Sequence, residues 1–415
     1  MSQVTIISPD HIGAAYVCEE TSFTTPDTFV RMHPVANSIE GGATQPGIAR
    51  SQLAPRAWNV LDTVDGYKEG TVTFAHYLQP TSAVLDHSTS VPSTANNPLN
   101  VILKALFGGV SVNQGTQVAT ATSESAVTVS SGHGSRVPAG QIVLVKDPTD
   151  GILPARVLTR STDDITFWPS LSGAGTIGDE IINTYTWYPT TANTRSLAVA
   201  LAAVGNSSLQ WEWLGGTGDL ELMFERAQLA QAKITGKFAS WSGPSALSLS
   251  TSVVSDPMAA PMAVRSAKLY LQPPATTTRT CYLVDSFKVT LKLGMKHLET
   301  LTCGTEGRRG VFRSEGLTDA FAEIDCEVPI DTGLDTYWSA KTTLSAMLSI
   351  AVDTSGGGRR YIVVDAARCS IVDKPALKRG AGNLATYAFK LRCHLDTLTS
   401  DTAELGTAPL RLAIG

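Results

Sequence analysis

The chain has 415 residues, of which 43% are hydrophobic and 17% are charged. That length suffices for about two or three domains of ~100–200 residues each, and a chain this apolar is not disordered. The net charge of −5 provides no basic excess for condensing on nucleic acid or anionic lipid. The charged fraction lies below the usual ~25%, which predicts that part of the surface contacts protein rather than water.

The first 20 residues carry Asp10, Glu19 and Glu20 but no Lys or Arg. A secretory signal begins with a cationic stretch ahead of an apolar one, so we expect none here. The longest uninterrupted apolar run, 197–204, is far shorter than the ~20 residues that span a bilayer. The sequence therefore predicts no membrane crossing.

The six cysteines lie far apart, without a Cys-x-x-Cys pair or a neighbouring His at zinc-finger spacing. This pattern favours reduced, buried thiols of a cytosolic protein. A set of disulfides is the alternative, because five of the six cysteines follow residue 280.

Short alternating runs of polar and apolar residues, interrupted by Gly, Pro, Asn or Asp, predict a mostly β protein with antiparallel sheets. The first clear strand is 71–78. A helix should follow over 98–107, because Asn97 is a suitable N-cap, Pro98 suits the first helical position and a glycine pair ends the apolar stripe.

The segment 110–189 is dense in Val, Thr and turn dipeptides, and we interpret it as an inserted small β domain. The strand 219–225 then places acids on one face and apolar residues on the other. Two prolines and a near absence of charge predict a linker at 256–264.

Beyond the linker, alternation predicts a strand over 287–296 with three lysines on one face, and another over 322–328 with three acids on one face. A helix is expected over 336–350, although its β-branched threonines disfavour it. Two separate strands therefore present acidic stripes. Their acids are Asp219, Glu221, Glu225, Glu323, Asp325 and Glu327.

Each half of the chain has an alternating strand, one helix and a later pair of strands, which predicts an internal duplication. In this interpretation strand 71–78 corresponds to 287–295, and helix 98–107 to 336–350. The predicted domains are 1–109 with 190–255, the insertion 110–189, the linker 256–264 and the second domain 265–415.

No constellation for catalysis, cofactor binding or metal binding emerges. The turn 131–135 contains Ser, His and Gly but lacks the Gly-x-Ser-x-Gly of a nucleophile elbow and an acid nearby in sequence. The glycine-rich segments lack the lysine and hydroxyl of a phosphate loop, and the histidines lack metal-ligand spacing. We therefore predict that the protein is not an enzyme.

The acidic stripes have two interpretations. They could line the inside of an assembly, where negative charge would let nucleic acid pass without adhering. Alternatively, they face outward or pair with the lysines at 288, 292 and 296, since opposite charges on neighbouring strands attract by ~0.2–1 kcal/mol per pair.

Several short stretches resemble the tail tube proteins of long-tailed, siphovirus-type bacteriophages, in the class that fuses two tube domains in one chain. These stretches are the Glu-containing start at 16–26, the helix and Phe-Gly turn at 97–109 with the opening of the insertion at 137–141, the returning strands at 211–236, and the strand, arginine-rich loop and acidic strand at 284–327.

The resemblance implies two tandem β-sandwich or barrel domains of tail-tube type, each with a flanking helix, plus the inserted β domain. Three copies would form a ring with pseudo-sixfold symmetry, and stacked rings would form a tube through which DNA passes without specific binding. The six acids are then candidates for the lumen, and Arg308, Arg309 and Arg313 are candidates for contacts between rings.

The same resemblance implies that the tape measure, tail terminator and distal tail proteins are partners. It implies no cofactor, no metal and no membrane, and it places the protein in the virion tail after assembly in the host cytoplasm. The alternative is a carbohydrate- or receptor-binding β protein of a virion or cell surface, in which Trp168, Tyr185 and Trp187 of the insertion would stack on a sugar.

Overall fold

The structure of the chain is a computed structural model. The structure describes residues 12–36, 38–44, 47–48, 64–65, 69–78, 98–111, 116–190, 195–203, 209–246, 263–264, 267–276, 279–299, 308–313, 320–353, 359–379, 385–397 and 403–415. The predicted linker, apart from its last two residues, and the predicted cap Asn97 lie outside these residues.

The first part of the chain is built of short strands and one helix. Its elements are β1 Ile12–Ser22, β2 Thr25–Pro26, β3 Val30–Met32, β4 Glu40–Thr44, β5 Gly47–Ile48, β6 Val64–Asp65, β7 Glu69–Tyr77, α1 Pro98–Phe107 and β8 Gly108–Ser111.

In the middle of the chain, the described residues form strands and the 3₁₀ turn Gly134–Arg136. Its strands are β9 Thr116–Thr122, β10 Ala126–Val129, β11 Ile142–Asp147, β12 Gly151–Ser161, β13 Asp164–Trp168, β14 Glu180–Asn183, β15 Tyr185–Pro189, β16 Ser196–Ala203, β17 Leu209–Glu225, β18 Gln231–Phe238 and β19 Ser240–Ala246.

The remaining elements follow the predicted linker. They are β20 Ala267–Gln272, β21 Cys281–Leu283, β22 Ser286–Leu293, β23 Met295–Glu299, β24 Arg308–Arg313, β25 Ala320–Pro329, α2 Thr332–Ser339, β26 Leu344–Asp353, β27 Arg359–Ile371, β28 Ala376–Arg379, β29 Ala385–His394, α3 Glu404–Thr407 and β30 Arg411–Ile414. The prediction of a mostly β protein with antiparallel sheets is confirmed.

Eight strands, in the order β4-β7-β18-β17-β22-β25-β29-β28, form one continuous antiparallel sheet, here called the eight-strand sheet. The long strand β17 connects it to a second layer, because its first part pairs with β16 and β19 and its second part with β18 and β22. A shared apolar core fills the space between the layers.

Trp213 of β17 fixes the distance between these layers. Its indole N–H donates to the carbonyl of Gly42, at 3.1 Å. A Cβ at Gly41 would lie 2.7 Å from the indole ring, so only glycine lets β4 approach this closely.

The two halves of the chain repeat the same pairings. In the first half, pairing runs β1-β16-β17-β18-β7-β4, and in the second half β20-β26-β27-β29-β25-β22. Helix α1 precedes β16, and α2 precedes β26. The counterpart of β7 is therefore β25, and the predicted correspondence of β7 with β22 is wrong.

Helix α1 and strand β7 lie where the sequence predicted them, but the second predicted helix is wrong. Helix α2 ends at Ser339, Lys341 follows with a left-handed φ of 51°, and residues 344–353 form strand β26. Because residues 344–350 are all buried, the strand lacks the polar–apolar alternation that identifies half-buried strands.

Strands β9–β14 close into a six-stranded barrel within the segment 110–189. The flanking strands β8 and β15 pair with each other, and β15 also pairs with β30 from the second half. The barrel core continues into Tyr270, Met347, Tyr361 and Val363. The barrel therefore packs against the second half, although its sequence interrupts the first.

Among the described residues, no helix has both the length and the apolar character needed to cross a membrane.

Candidate functional site

The eight-strand sheet has one buried face and one face turned to solvent. Leu220, Leu222 and Phe224 of β17 are at most 1% exposed and belong to the core. Since side chains alternate along a strand, the acids of β17 project from the opposite face, and the acids of β25 follow the same rule. All six predicted acids therefore lie on one surface, here called the charged face.

Rows of basic residues separate the acidic rows on the charged face. Glu221 lies directly opposite Lys233, and Asp325 lies between Lys288 and Lys390. The basic residues of these rows are Lys233, Lys237, Lys288, Lys292, Lys390 and Arg392. Six acids thus face six bases on these strands, and the charged face carries both signs of charge, because neighbouring rows come from segments far apart in sequence.

The acidic and basic rows form ion pairs. Lys288 Nζ lies 3.1 Å from Glu221 Oε1, and Arg392 Nη2 lies 2.7 Å from Glu323 Oε1. Lys390 Nζ reaches the same Glu323 at 3.2 Å. The hydrogen bond from Arg392 lowers the pKa of Glu323, and the bond to Glu323 raises the pKa of Lys390. The predicted pairing of the acids with strand lysines is present at Lys288; Lys296 lies in β23, outside this sheet.

Asp219 and Glu327 are more sheltered than a solvent-facing carboxylate usually is. Burial raises the pKa of Asp219, against the lowering effect of a backbone hydrogen bond and of Lys292 and Lys237. Glu327 accepts a hydrogen bond of 2.6 Å from the Thr386 hydroxyl. Asp219 and Glu327 are thus held in place by neighbouring groups.

The three predicted inter-ring arginines, Arg308, Arg309 and Arg313, belong to strand β24. This strand pairs only with β23 among the described strands, so the two form a separate hairpin. The ring of His297 on β23 makes a 2.7 Å hydrogen bond with the carbonyl of Gly215 on β17, which anchors the hairpin. The strand that carries these arginines therefore belongs to a two-stranded sheet separate from the eight-strand sheet.

A buried charge cluster, which the sequence analysis did not predict, joins the barrel to the second half. Arg156 of β12 donates to Asp365 of β27 at 2.6 Å, and Arg411 of β30 donates to the same carboxylate at 3.0 Å and to Asp396 at 2.9 Å. All four side chains are fully buried. Burial lowers the pKa of Arg411, and the two carboxylates oppose that effect.

Further contacts complete this cluster. The Arg156 guanidinium lies 5.2 Å from the centre of the Trp168 ring, which suits a cation–π contact. Arg411 also donates to the carbonyls of Leu405 and Gly406. The four charged residues come from four separate segments of the chain. They therefore form no local motif that could be recognised in the sequence.

A second set of ion pairs lies at the rim of the same interface. Arg279 donates to Asp147 at 2.9 Å and to Asp150 at 2.6 Å, and Lys268 reaches Asp150 at 3.1 Å. Although burial acts to raise it, the pKa of Asp147 is low, because the backbone N–H groups of residues 149, 150 and 172 donate to its carboxylate. The barrel is therefore fixed to the second half at two places.

The aromatic residues proposed for sugar stacking are buried. Trp168, Tyr185 and Trp187 are only 2–3% exposed, and the Trp187 N–H donates to Asn100 of α1. They serve the core and offer no platform to a ligand, which corrects the expectation for the alternative function.

The turn 131–135 has a structural explanation. The Asp163 carboxylate accepts the backbone N–H groups of Gly132 and Gly134, at 3.1 and 3.0 Å, and Gly132 adopts a φ of +80°. These N–H groups, Gly134 first, lower the pKa of Asp163. Across the part of the chain that the structure describes, no three His, Cys, Asp or Glu residues are placed to hold a metal ion.

Comparisons of the chain with models of protein families and with curated proteins gave no match.

Proposed function

We propose that the chain is a structural virion protein whose copies form stacked rings, which together make the tail tube that conducts DNA into the host. One observation carries the proposal: two halves with the same strand pairings join edge to edge, through β17 and β22, into a sheet with one core face and one charged face. A unit that already joins to its own repeat within one chain is suited to joining again between chains.

Ring closure follows from the same geometry. Each chain contributes two similar units, so three chains would give six units around a central axis with pseudo-sixfold symmetry. Antiparallel strands twist and tilt, which lets such a sheet close into a barrel and leave a wide lumen. Closure would also pair the outer strands, whose exposed backbone groups otherwise promote aggregation.

The charged face is the surface proposed for the lumen. Its acids and bases neutralise one another in neighbouring rows, so a passing phosphate backbone meets no large field of either sign. The ion pairs of Lys288, Lys390 and Arg392 also neutralise three of the six basic groups. DNA would therefore move along this surface without specific binding.

The remaining parts take the roles expected of a tail tube. The barrel β9–β14 would decorate the outside of the tube, and the β23–β24 hairpin with Arg308, Arg309 and Arg313 would contact the next ring. The tape measure protein would occupy the lumen before DNA, and the terminator and distal tail proteins would meet the two tube ends. Assembly would take place in the host cytoplasm and the product would reside in the virion tail.

The first test is negative-stain electron microscopy of the purified chain at high concentration, with light scattering to detect smaller oligomers. Rings or tubes with a central hole are expected. A chain that stays monomeric at every concentration would contradict the proposal.

The orientation of the charged face can be tested separately. Thr235, exposed on β18, would be changed to Cys and labelled with a maleimide gold cluster, in a background with Cys281 and Cys303 changed to Ser. Gold is expected inside the channel. The matched control is Ser161→Cys on the barrel, which should carry gold on the outside. Gold from Thr235→Cys on the outer surface would show that another face lines the lumen.

A further inference from the structure

The repeat within the chain indicates where a second copy binds. Strand β22 covers the second part of β17. In the second half, β29 is the counterpart of β18, and β27 and β28 together are the counterpart of β17. Strand β4 of the first half is the counterpart of β22. Within one chain β4 and β28 are the two outer strands of the eight-strand sheet, so the edge of β28 is the position that β4 of a second copy would occupy.

We align the two halves by superposing the buried Val72 and Phe74 of β7 on the buried Ala322 and Ile324 of β25. The register then makes Ala232 and Ile234 of β18 the counterparts of Phe389 and Leu391. Counting back two residues from Ala232 and Phe389 gives Ala230 and Tyr387. In the second half, Tyr387 pairs with Leu377. In the first half, the residue opposite Ala230 is Phe224, because Met223 and Gln231 form the preceding pair. Leu377 is therefore the counterpart of Phe224.

The burial of these two counterparts differs sharply. Phe224 is 1% exposed and packs against Phe287 of β22, with 6.1 Å between the ring centres. Leu377 is 68% exposed. An aliphatic side chain this exposed, at a position where its counterpart is covered by the neighbouring unit, is the contact expected of an interface that lacks its partner.

Leu377 lines a groove that can receive a neighbouring strand. The groove has a volume of about 470 Å³ and lies between α2 and the β28–β29 edge, with Trp338, Tyr387, Asp335 and Lys374 also on its walls. The Tyr387 hydroxyl donates to Asp335 at 2.9 Å, which fixes one wall. The groove thus combines apolar residues, Trp338, Pro375 and Leu377, with the charged residues Asp335 and Lys374.

The repeat of strand pairings selects β4 as the occupant, and Lys374 gives its Glu40 a basic partner. Glu40 of β4 pairs with Thr73, just as Thr290 of β22 pairs with Glu323, so Glu40 is the counterpart of Thr290. Thr290 lies opposite Glu221 of β17. The counterpart of Lys233 is Lys390, whose carbonyl accepts the Val372 N–H, so Val372 is the counterpart of Glu221. The exposed residues Asp373 and Lys374 follow it, and Lys374 offers a base to the exposed Glu40 of β4.

We propose that the β28 edge and the adjoining groove bind β4 of a second copy of this chain, burying Leu377 against the partner and placing Glu40 of one copy beside Lys374 of the other. The inference rests on the proposed function and specifies its subunit interface. This interface between chains would have the same form as the junction of β17 and β22 within a chain. Backbone hydrogen bonds and one apolar side chain would hold it together.

The test compares Leu377→Asp with Ile177→Asp in the full chain, by mass from light scattering and by electron microscopy. Ile177 is 70% exposed on a barrel loop and provides a matched change away from the groove. Leu377→Asp should weaken association at least about tenfold and abolish rings, whereas Ile177→Asp should assemble like the wild type. Because Leu377 is exposed in the single chain, the thermal midpoint of the monomer should not change.

The identity of the occupant is tested by charge exchange. Glu40→Lys and Lys374→Glu should each weaken assembly, and the double variant should recover it. Failure of the double variant to recover would overturn β4 as the occupant. Normal rings from Leu377→Asp, or equal loss in Ile177→Asp, would overturn the groove as the interface while leaving the proposed function standing. A wild-type chain that never associates would overturn the proposed function and this interface together.

Discussion

Changing Asp365 to Asn tests the charge cluster that holds the barrel. Asp365 accepts hydrogen bonds from Arg156 at 2.6 Å and from Arg411 at 3.0 Å. Asparagine has nearly the same shape but no charge, and it offers a single acceptor oxygen. The substitution therefore leaves two buried guanidinium groups with one carboxylate, that of Asp396.

The loss of stability depends on which of the two guanidinium groups loses more of its hydrogen-bond partners. Arg411 keeps Asp396 at 2.9 Å and two carbonyl acceptors, whereas Arg156 keeps only a distant Asp396 at 3.9 Å and the face of Trp168. Removing one partner of a buried ion pair costs ~3–5 kcal/mol. We expect a loss of about 3 kcal/mol in the free energy of unfolding, since asparagine retains one hydrogen bond.

Denaturant unfolding and hydrogen exchange would measure this loss. Amides of β12 and β27 should lose protection together, because the cluster connects these two strands. The control is Arg156→Met combined with Asp365→Leu, which removes both charges and should recover most of the stability. A loss below about 1 kcal/mol for Asp365→Asn, or loss of protection confined to β27, would refute the reasoning.

Two further predictions concern the eight-strand sheet. Glu323→Gln should lower the free energy of unfolding by about 0.5–1 kcal/mol at pH 7. Because Arg392 lowers the pKa of Glu323, this stabilisation is present above the unfolded pKa of ~4.3 and is lost as the pH falls through the folded pKa. Wild type and variant should therefore converge in thermal melts at acid pH, and a difference that persists there would contradict the prediction. Gly41→Ala should cost ~1–3 kcal/mol, because the new methyl group would meet the Trp213 ring, whereas Gly173→Ala, with its nearest neighbour 4.0 Å away, should be close to neutral in the same melts.

The elements that could be predicted from the sequence are those with a local pattern of their own. Helix α1 carries its own start and stop signals, and the alternation of β7 and β25 reports one buried face, so both were predictable. Strand β26 was mistaken for a helix because its apolar residues are buried on both sides, which removes the period of two.

Features that depend on neighbouring strands escaped sequence reasoning. The acids of β17 and β25 were located correctly on one face, but the bases between them come from β18, β22 and β29, and only the register reveals the pairing. The cluster of Arg156 and Asp365 was invisible for the same reason, since these residues are 209 positions apart.

That separation of 209 residues also bears on how the chain folds. The barrel β9–β14 is made of neighbouring segments and can form early, but its docking surface on β27 and β30 requires closure of a very long loop, and long-range pairings of this kind are slow. Until they form, the apolar residues of β27 and β30 that the barrel covers, among them Tyr361, Val363 and Ala413, stay exposed in an incomplete subunit. The order of folding events thus determines how long the nascent protein is open to premature or mistaken strand pairing.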